Sequence, residues 1–261
     1  MYPEISIGPI NIESYLFFYL LAFIVVAIFL SREFARRQYP RKLFIGLFMT
    51  GLVFGLIGSK IYFILNNWDI FVMNRSRILF DISGSGWYGG LILGVSAIII
   101  FLKIKKLPIL KFMDILIPFV PVGQVFGRLG CFFAGCCHGT PSNLPWAVVF
   151  PNGLYPPHVK VHPTQLYEMI ICLIISIILF RYKKKNMKDG KLLGLYLVLA
   201  GMGRFIIEFY RPNPKIIAHL TTPQILAFIG ILLGGYFIFR VKQSVNVFSK
   251  ITEEQHKSLY S

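Results

Sequence analysis

The chain has 261 residues, of which 56% are hydrophobic and 15% charged, and its mean hydropathy is +0.66. Those values exclude an ordinary soluble globular domain and point to a polytopic membrane protein. A formal net charge of +16 would suit a nucleic-acid partner, but most of the basic residues fall in short segments between apolar runs, which excludes that class.

Apolar runs of roughly 18 residues or more mark bilayer spans, because only a helix of about that length satisfies its backbone polar groups across the hydrocarbon. Seven are predicted, at about 13–31, 43–66, 85–102, 113–137, 165–181, 191–210 and 222–240. The first contains YLFFYLLAFIVVAIFL, Tyr15 to Leu30. The preceding MYPEISIGPINIE lacks the basic n-region of a cleavable signal, so this span is expected to be retained. Spans three and four are less regular. The third opens on SGSGWYGGLILG and the fourth ends in GRLGCFFAGCCHG, so a break or re-entrant turn is expected in each. The resulting fold class is all-α, a single integral-membrane domain over 1–261, with 138–164 as an outward-facing loop and 241–261 as a cytoplasmic tail.

Arg32, Arg36, Arg37, Arg41 and Lys42 follow span one, and Lys103, Lys105, Lys106 and Lys111 follow span three. Arg181, Lys183, Lys184, Lys185, Lys188 and Lys191 follow span five, and Arg240, Lys242, Lys250 and Lys257 follow span seven. These are alternate loops, so they share one side. The positive-inside rule makes that side cytoplasmic and places the N-terminus outside and the C-terminus inside.

The remaining cations are Lys60, Arg75, Arg77, Arg128, Lys160, Arg204, Arg211 and Lys215. Lys60, Arg128 and Arg204 fall within spans, where an ionised group costs several kcal/mol unless it is paired or lines a wet cavity. Taken singly, each has a plain structural reading. Arg204 can pair with Glu208 four residues on, Lys60 can snorkel, and Arg128 can bond loop carbonyls. Taken together, three cations at one depth suit an anionic ligand such as a phospholipid phosphate, whose oxygens match guanidinium forks. VHPTQLYE before span five adds His162, Gln165, Tyr167 and Glu168; Glu168 is expected to favour the positive end of that helix. Tyr15 and Tyr19 share a face of span one, and Arg211 lies seven residues after Arg204.

Cys131, Cys136 and Cys137 crowd together beside His138. Zinc ligation, a strained vicinal disulfide and small packing thiols are the alternatives. Thiols on one helix would point in several directions, so packing is expected there and at Cys172, with no metal.

SIGPI, YGGLILG, GRLGCFFAGCCHG, HPTQLYE and GRFIIEFYRPNP resemble, in order and spacing, the prolipoprotein diacylglyceryl transferase family. The resemblance implies a seven-span enzyme of the bacterial cytoplasmic (inner) membrane. Such an enzyme moves the diacylglyceryl group of phosphatidylglycerol to the lipobox cysteine of a secreted precursor, without a cofactor. Carried over by motif, Arg128 matches the arginine of the family signature, Arg204 the essential arginine of the sixth span, and Glu208 its partner. Tyr15 matches a tyrosine of the first span, Lys60 a basic position usually held by arginine, and His162, Gln165, Tyr167 and Glu168 a segment near the active site. Arg211 joins this substrate-binding group. Tyr88 stands where the family's best-known form has a histidine assigned as general base, Cys131 where it has asparagine, and Cys136 where it has glutamate. The expected chemistry has Arg128 and Arg204 holding the phosphate and Tyr88 relaying the thiol proton. The expected partners are phosphatidylglycerol, prolipoprotein signal peptides and membrane lipids. The alternatives are a divergent homologue with another donor or acceptor, or a non-catalytic lipid-binding membrane protein.

Overall fold

The computed structural model describes residues 4–7, 10–73, 86–151, 153–156, 158–183, 188–217 and 219–240. Arg75, Arg77, the glycine-rich start of span three before residue 86 and the tail 241–261 lie outside the described residues.

A hairpin of β1 (Glu4–Ile7) and β2 (Ile10–Glu13) leads into α1 (Ser14–Arg36). Then follow α2 (Arg41–Asn66), short α3 (Trp68–Met73), α4 (Trp87–Ile104), α5 (Ile109–Leu116) and α6 (Val120–Ala134). After a loop come α7 (Thr164–Lys183), α8 (Lys191–Glu208) and α9 (Thr222–Arg240). Among the described residues, five helices are long and apolar enough to cross a membrane, counting the α5–α6 unit Ile109–Ala134 as one. Helices α4 and α8 have 18 residues each. At 1.5 Å per residue they reach about 27 Å, close to the hydrocarbon thickness. Outward-facing Ile24, Phe29, Ile57, Ile92, Ile174 and Leu232 are all exposed. Such an apolar exterior belongs in lipid.

The break expected in span four is present. A 3-10 turn at Ile117–Phe119 joins α5 to α6, with Pro118 inside the turn and Pro121 in the first turn of α6. Proline lacks the N–H that would continue an α-helical ladder. In span three, α4 runs without interruption from Trp87 to Ile104. Three two-stranded pairs were not anticipated. They are β1–β2, β3 (Val148–Val149) with β4 (Lys160–Val161), and β5 (Lys215–Ile217) with β6 (Leu220–Thr221).

Close backbone approach ties the helices in antiparallel pairs. A Cβ on Gly58 of α2 would strike the Gly89 carbonyl of α4, and would lie 2.5 Å from Leu93 Cβ. In α8 and α9, a Cβ on Gly194 would lie 2.7 Å from the Gly234 carbonyl. Within lipid, where apolar side chains gain nothing by leaving the solvent, such small-residue contacts drive helix association. Gly58→Val should therefore lower stability by about 1–3 kcal/mol or more through overpacking. Gly235→Ala should be neutral or slightly stabilising, since none of the described residues lies within 4 Å of its Cβ position. Thermal unfolding in detergent micelles measures both, and equal effects would refute this packing account.

The buried aromatic and aliphatic cluster Leu30, Phe34, Leu47, Leu102, Phe112 and Ile115 lies where α1 and α4 end and α2 begins. At the same end, Glu33 is bridged by Lys183 at 2.9 Å and Arg36 at 3.0 Å, and Asp114 accepts from the N–H groups of Gly190 at 2.7 Å and Leu193 at 2.8 Å. Because the helices alternate in direction, Tyr15, Lys60, Tyr88, Arg128, Glu168 and Arg204 all fall toward the other end.

Candidate active site

The centre of that end is Glu168, only 7% exposed, one turn into α7. Arg204 Nη1 donates to its Oε1 at 2.6 Å, and Arg128 Nε is ion-paired to its Oε2. Arg211 Nη1 lies 3.8 Å from Oε1. Glu168 was expected to favour the positive end of its own helix; instead its carboxylate joins guanidiniums from α6, α8 and the turn after α8. The pairing is dictated by desolvation, since arginines at this depth need an anion and an anion needs them.

Arg204 also bridges Glu208 Oε2 at 2.9 Å through Nη2, so the i,i+4 pair read from the sequence exists and is one half of a larger network. Glu208, 2% exposed, accepts from Thr221 Oγ1 at 2.9 Å and Asn213 Nδ2 at 2.5 Å. Arg128, Arg204 and Arg211 against Glu168 and Glu208 leave one net positive charge. The carbonyl-bonding role considered for Arg128 belongs to Arg211, whose Nη2 donates to the Cys137 carbonyl at 2.6 Å.

Gln165 is fully buried, and its Nε2 donates to the Cys136 carbonyl at 2.7 Å. Among the described residues, Gln165 Oε1 and Arg211 Nε are buried without a hydrogen-bond partner. Around them stands an aromatic wall. Trp146 Nε1 donates to Tyr167 Oη at 2.8 Å, His162 Nδ1 lies 3.4 Å from the same hydroxyl, and the His162 and Tyr210 rings are 5.0 Å apart. Tyr88 packs at 6.3 Å from Tyr62. Lys60 stands over Phe63 of its own helix at 5.7 Å, and Tyr15 stacks on Tyr19 at 5.9 Å. Of the three in-span cations, the structure thus joins Arg128 and Arg204 through Glu168, and Arg211 takes the third place around that carboxylate.

The residues that support Glu208 were missed in the sequence. Thr221 and Gln224 form a capping box at the start of α9, with Thr221 N–H donating to Gln224 Oε1 at 3.0 Å and Gln224 N–H to Thr221 Oγ1 at 3.4 Å. The signal was the T-x-x-Q spacing; nothing local shows that the same threonine also reaches α8.

GRLGCFFAGCCHG does not behave as a helix with thiols fanning out. Helix α6 stops at Ala134 and Gly135 takes φ 75°. The Gly135 N–H then donates to the Phe132 carbonyl at 3.2 Å and the Cys136 N–H to the Cys131 carbonyl at 3.1 Å. This Schellman closure turns the chain back on itself, and the Sγ atoms of Cys131, Cys136 and Cys137 lie within 4.8 Å of one another. Gly130 meets α1, its Cβ position being 3.1 Å from Phe18 Cβ, whereas Gly127 has open space beside it. Cys172 is part of a polar trio, its Sγ lying 3.6 Å from Gln124 Oε1 and Tyr196 Oη donating to the same oxygen at 3.4 Å.

The family model described as prolipoprotein diacylglyceryl transferase matches residues 4–240. A phosphatidylglycerol–prolipoprotein diacylglyceryl transferase of Clostridium tetani is 32% identical over 225 residues, covering 85% of this chain and 89% of the relative. One from Clostridioides difficile is 37% identical over 202 residues, covering 77% and 78%, and transferase 2 of Clostridium perfringens is 32% identical, covering 91% and 94%. A match across all seven long helical units, together with arginines gathered where the family motifs fall, means that the chain belongs to the prolipoprotein diacylglyceryl transferase family.

Proposed function

We propose that this chain is a multi-pass enzyme of the bacterial inner membrane that transfers the diacylglyceryl group of phosphatidylglycerol to the lipobox cysteine of secreted prolipoproteins. The relatives' names supply the donor and the acceptor. One structural observation carries the reading: guanidiniums from three separate segments meet at one buried carboxylate with a net positive charge to spare.

In this reaction the thiol sulfur of the precursor forms a C–S bond to the diacylglyceryl carbon, the C–O bond to phosphate breaks, and the thiol proton is removed. Glycerol phosphate leaves with one more negative charge than the diester carried. Arg128 and Arg204 therefore interact more strongly as the bond breaks, which is the differential stabilisation that accelerates a reaction. Glu168 holds both forks at fixed orientation, and each guanidinium has five N–H donors, so donors remain for phosphate oxygens. Arg211 Nε and Gln165 Oε1, which have no hydrogen-bond partner among the described residues, supply a donor and an acceptor that suit a glycerol phosphate headgroup. Tyr88, which packs beside Tyr62, passes the thiol proton on to water. Tyr15, Lys60, His162 and Tyr167 are assigned to substrate binding, and the buried Glu208 serves it by holding Arg204 from behind.

The test is to supply the gene to cells depleted of their own transferase, and to assay the purified chain in phosphatidylglycerol vesicles with a lipobox peptide. Restored lipoprotein maturation and a thioether-linked diacylglyceryl peptide are expected. Phosphatidylglycerol bound without turnover would identify a lipid-binding protein instead. Turnover only after exchanging the donor or the acceptor would identify the divergent homologue to which Tyr88, Cys131 and Cys136 point.

A further inference from the structure

We propose that Cys131, Cys136 and Cys137 form a binding site for a thiophilic metal ion of the zinc class, held by three sulfurs at the rim of the transferase site. Their Sγ atoms lie within 4.8 Å of one another, and all three cysteines are free. Two Zn–S bonds of ~2.3 Å at a tetrahedral angle place their sulfurs ~3.8 Å apart. Side-chain adjustments of about 1 Å therefore bring the three thiols to ligating distance.

The backbone accounts for the convergence. In a Schellman closure the side chain four residues before the left-handed glycine and the one directly after it come together. Here those positions are Cys131 and Cys136. Cys137 then adopts φ 62°, a left-handed conformation uncommon for a residue with a side chain, and this brings the third sulfur to the same point. The turn is pinned from behind through its carbonyls. Gln165 Nε2 holds that of Cys136 at 2.7 Å, and Thr164 Oγ1 at 3.0 Å and Arg211 Nη2 at 2.6 Å hold that of Cys137. The sulfurs are thus carried on an anchored backbone while remaining available as ligands, which is the preorganisation that a metal site requires.

Charge and access agree with this. Three thiolates around a divalent ion carry one net negative charge, and the guanidinium of Arg211, bonded to the Cys137 carbonyl at 2.6 Å, stands beside them. Cys131 is buried while Cys136 and Cys137 are exposed, so an ion can enter and keep a fourth position open. Soft sulfur ligands select zinc or Cu(I) over magnesium, calcium or manganese. Each thiol still protonated gives its proton to the buffer as the ion binds. Because Arg211 and Gln165 grip the same turn, the ion acts as a clamp on the segment that positions them.

Titrating Co(II) into the reduced full-length chain in detergent, and then displacing it with Zn(II), tests the site. A thiolate-to-cobalt charge-transfer band saturating at one ion per chain, bleached by Zn(II), is expected, as is a rise in Tm with Zn(II). Both should vanish in the triple variant Cys131→Ser, Cys136→Ser, Cys137→Ser and persist in Cys172→Ser, with circular dichroism reporting that each variant is folded. If the triple variant does not fold, Cys136→Ser alone should weaken cobalt binding by about tenfold or more. Absence of the band in the reduced wild-type chain, or its persistence in the triple variant, would overturn the proposal. So would mild oxidation closing a disulfide among the three in a chain that binds neither ion.

Discussion

Arg204→Lys is expected to reduce diacylglyceryl transfer by more than tenfold at normal membrane abundance, and Arg128→Ala to do at least as much harm. Arg204 uses two nitrogens at once, Nη1 toward Glu168 at 2.6 Å and Nη2 toward Glu208 at 2.9 Å. A lysine ammonium is a point charge on a flexible stem and cannot span both carboxylates while also facing a phosphate. A charge-assisted hydrogen bond is worth roughly 1.5–3 kcal/mol, and that range corresponds to about 10- to 150-fold in rate if the bond is made in the transition state. Arg128→Ala removes a guanidinium outright and leaves one oxygen of Glu168 without its ion-pair partner, which adds a stability cost. The assay is single-turnover transfer from labelled phosphatidylglycerol to a lipobox peptide, normalised to folded protein. Near-normal rates in both variants would disprove the phosphate-holding role.

The spans were readable because hydrophobic length is a local property. Tyr15 to Leu30 identifies a membrane helix whatever it packs against. The joint at Ile117–Phe119 lies at the other end of span four from the GRLGCFFAGCCHG stretch that prompted the expected break, although Pro118 and Pro121 mark it locally by restricting their own backbone. The hub was only half readable. Arg204 and Glu208 lie four residues apart on one helix, so their pairing follows from helix geometry. Glu168 is 36 residues from Arg204, and no local pattern assigns it to that arginine rather than to its own helix terminus. The cysteines failed for a different reason. Continuing α6 past Ala134 spreads the thiols around a cylinder, whereas Gly135 marks a left-handed stop. A glycine followed by two cysteines after an apolar helix was a legible C-cap signal, and applying it would have placed Cys136 over Cys131.

Glu168→Gln should separate two roles that the carboxylate can have. Its oxygens are paired to Arg128 and Arg204, and the side chain is almost wholly buried. Glutamine keeps the shape and one acceptor oxygen but removes the charge and turns the other oxygen into a donor facing a guanidinium. Breaking one partner of a buried ion pair costs on the order of 3–5 kcal/mol, so lower Tm and abundance are expected. The catalytic signature is more specific. If Glu168 positions the two forks, kcat should fall by about tenfold or more, because the arginines no longer meet the leaving phosphate in fixed geometry. KM for phosphatidylglycerol should stay level or fall, since the site has gained a net positive charge for an anionic lipid. Glu168→Asp should recover stability more than kcat, because the charge returns while the shortened stem cannot reach both arginines. A raised KM with unchanged kcat would give the opposite assignment: Glu168 would then contact the headgroup itself, accepting a hydrogen bond from a glycerol hydroxyl, and the arginines would hold their orientation without it.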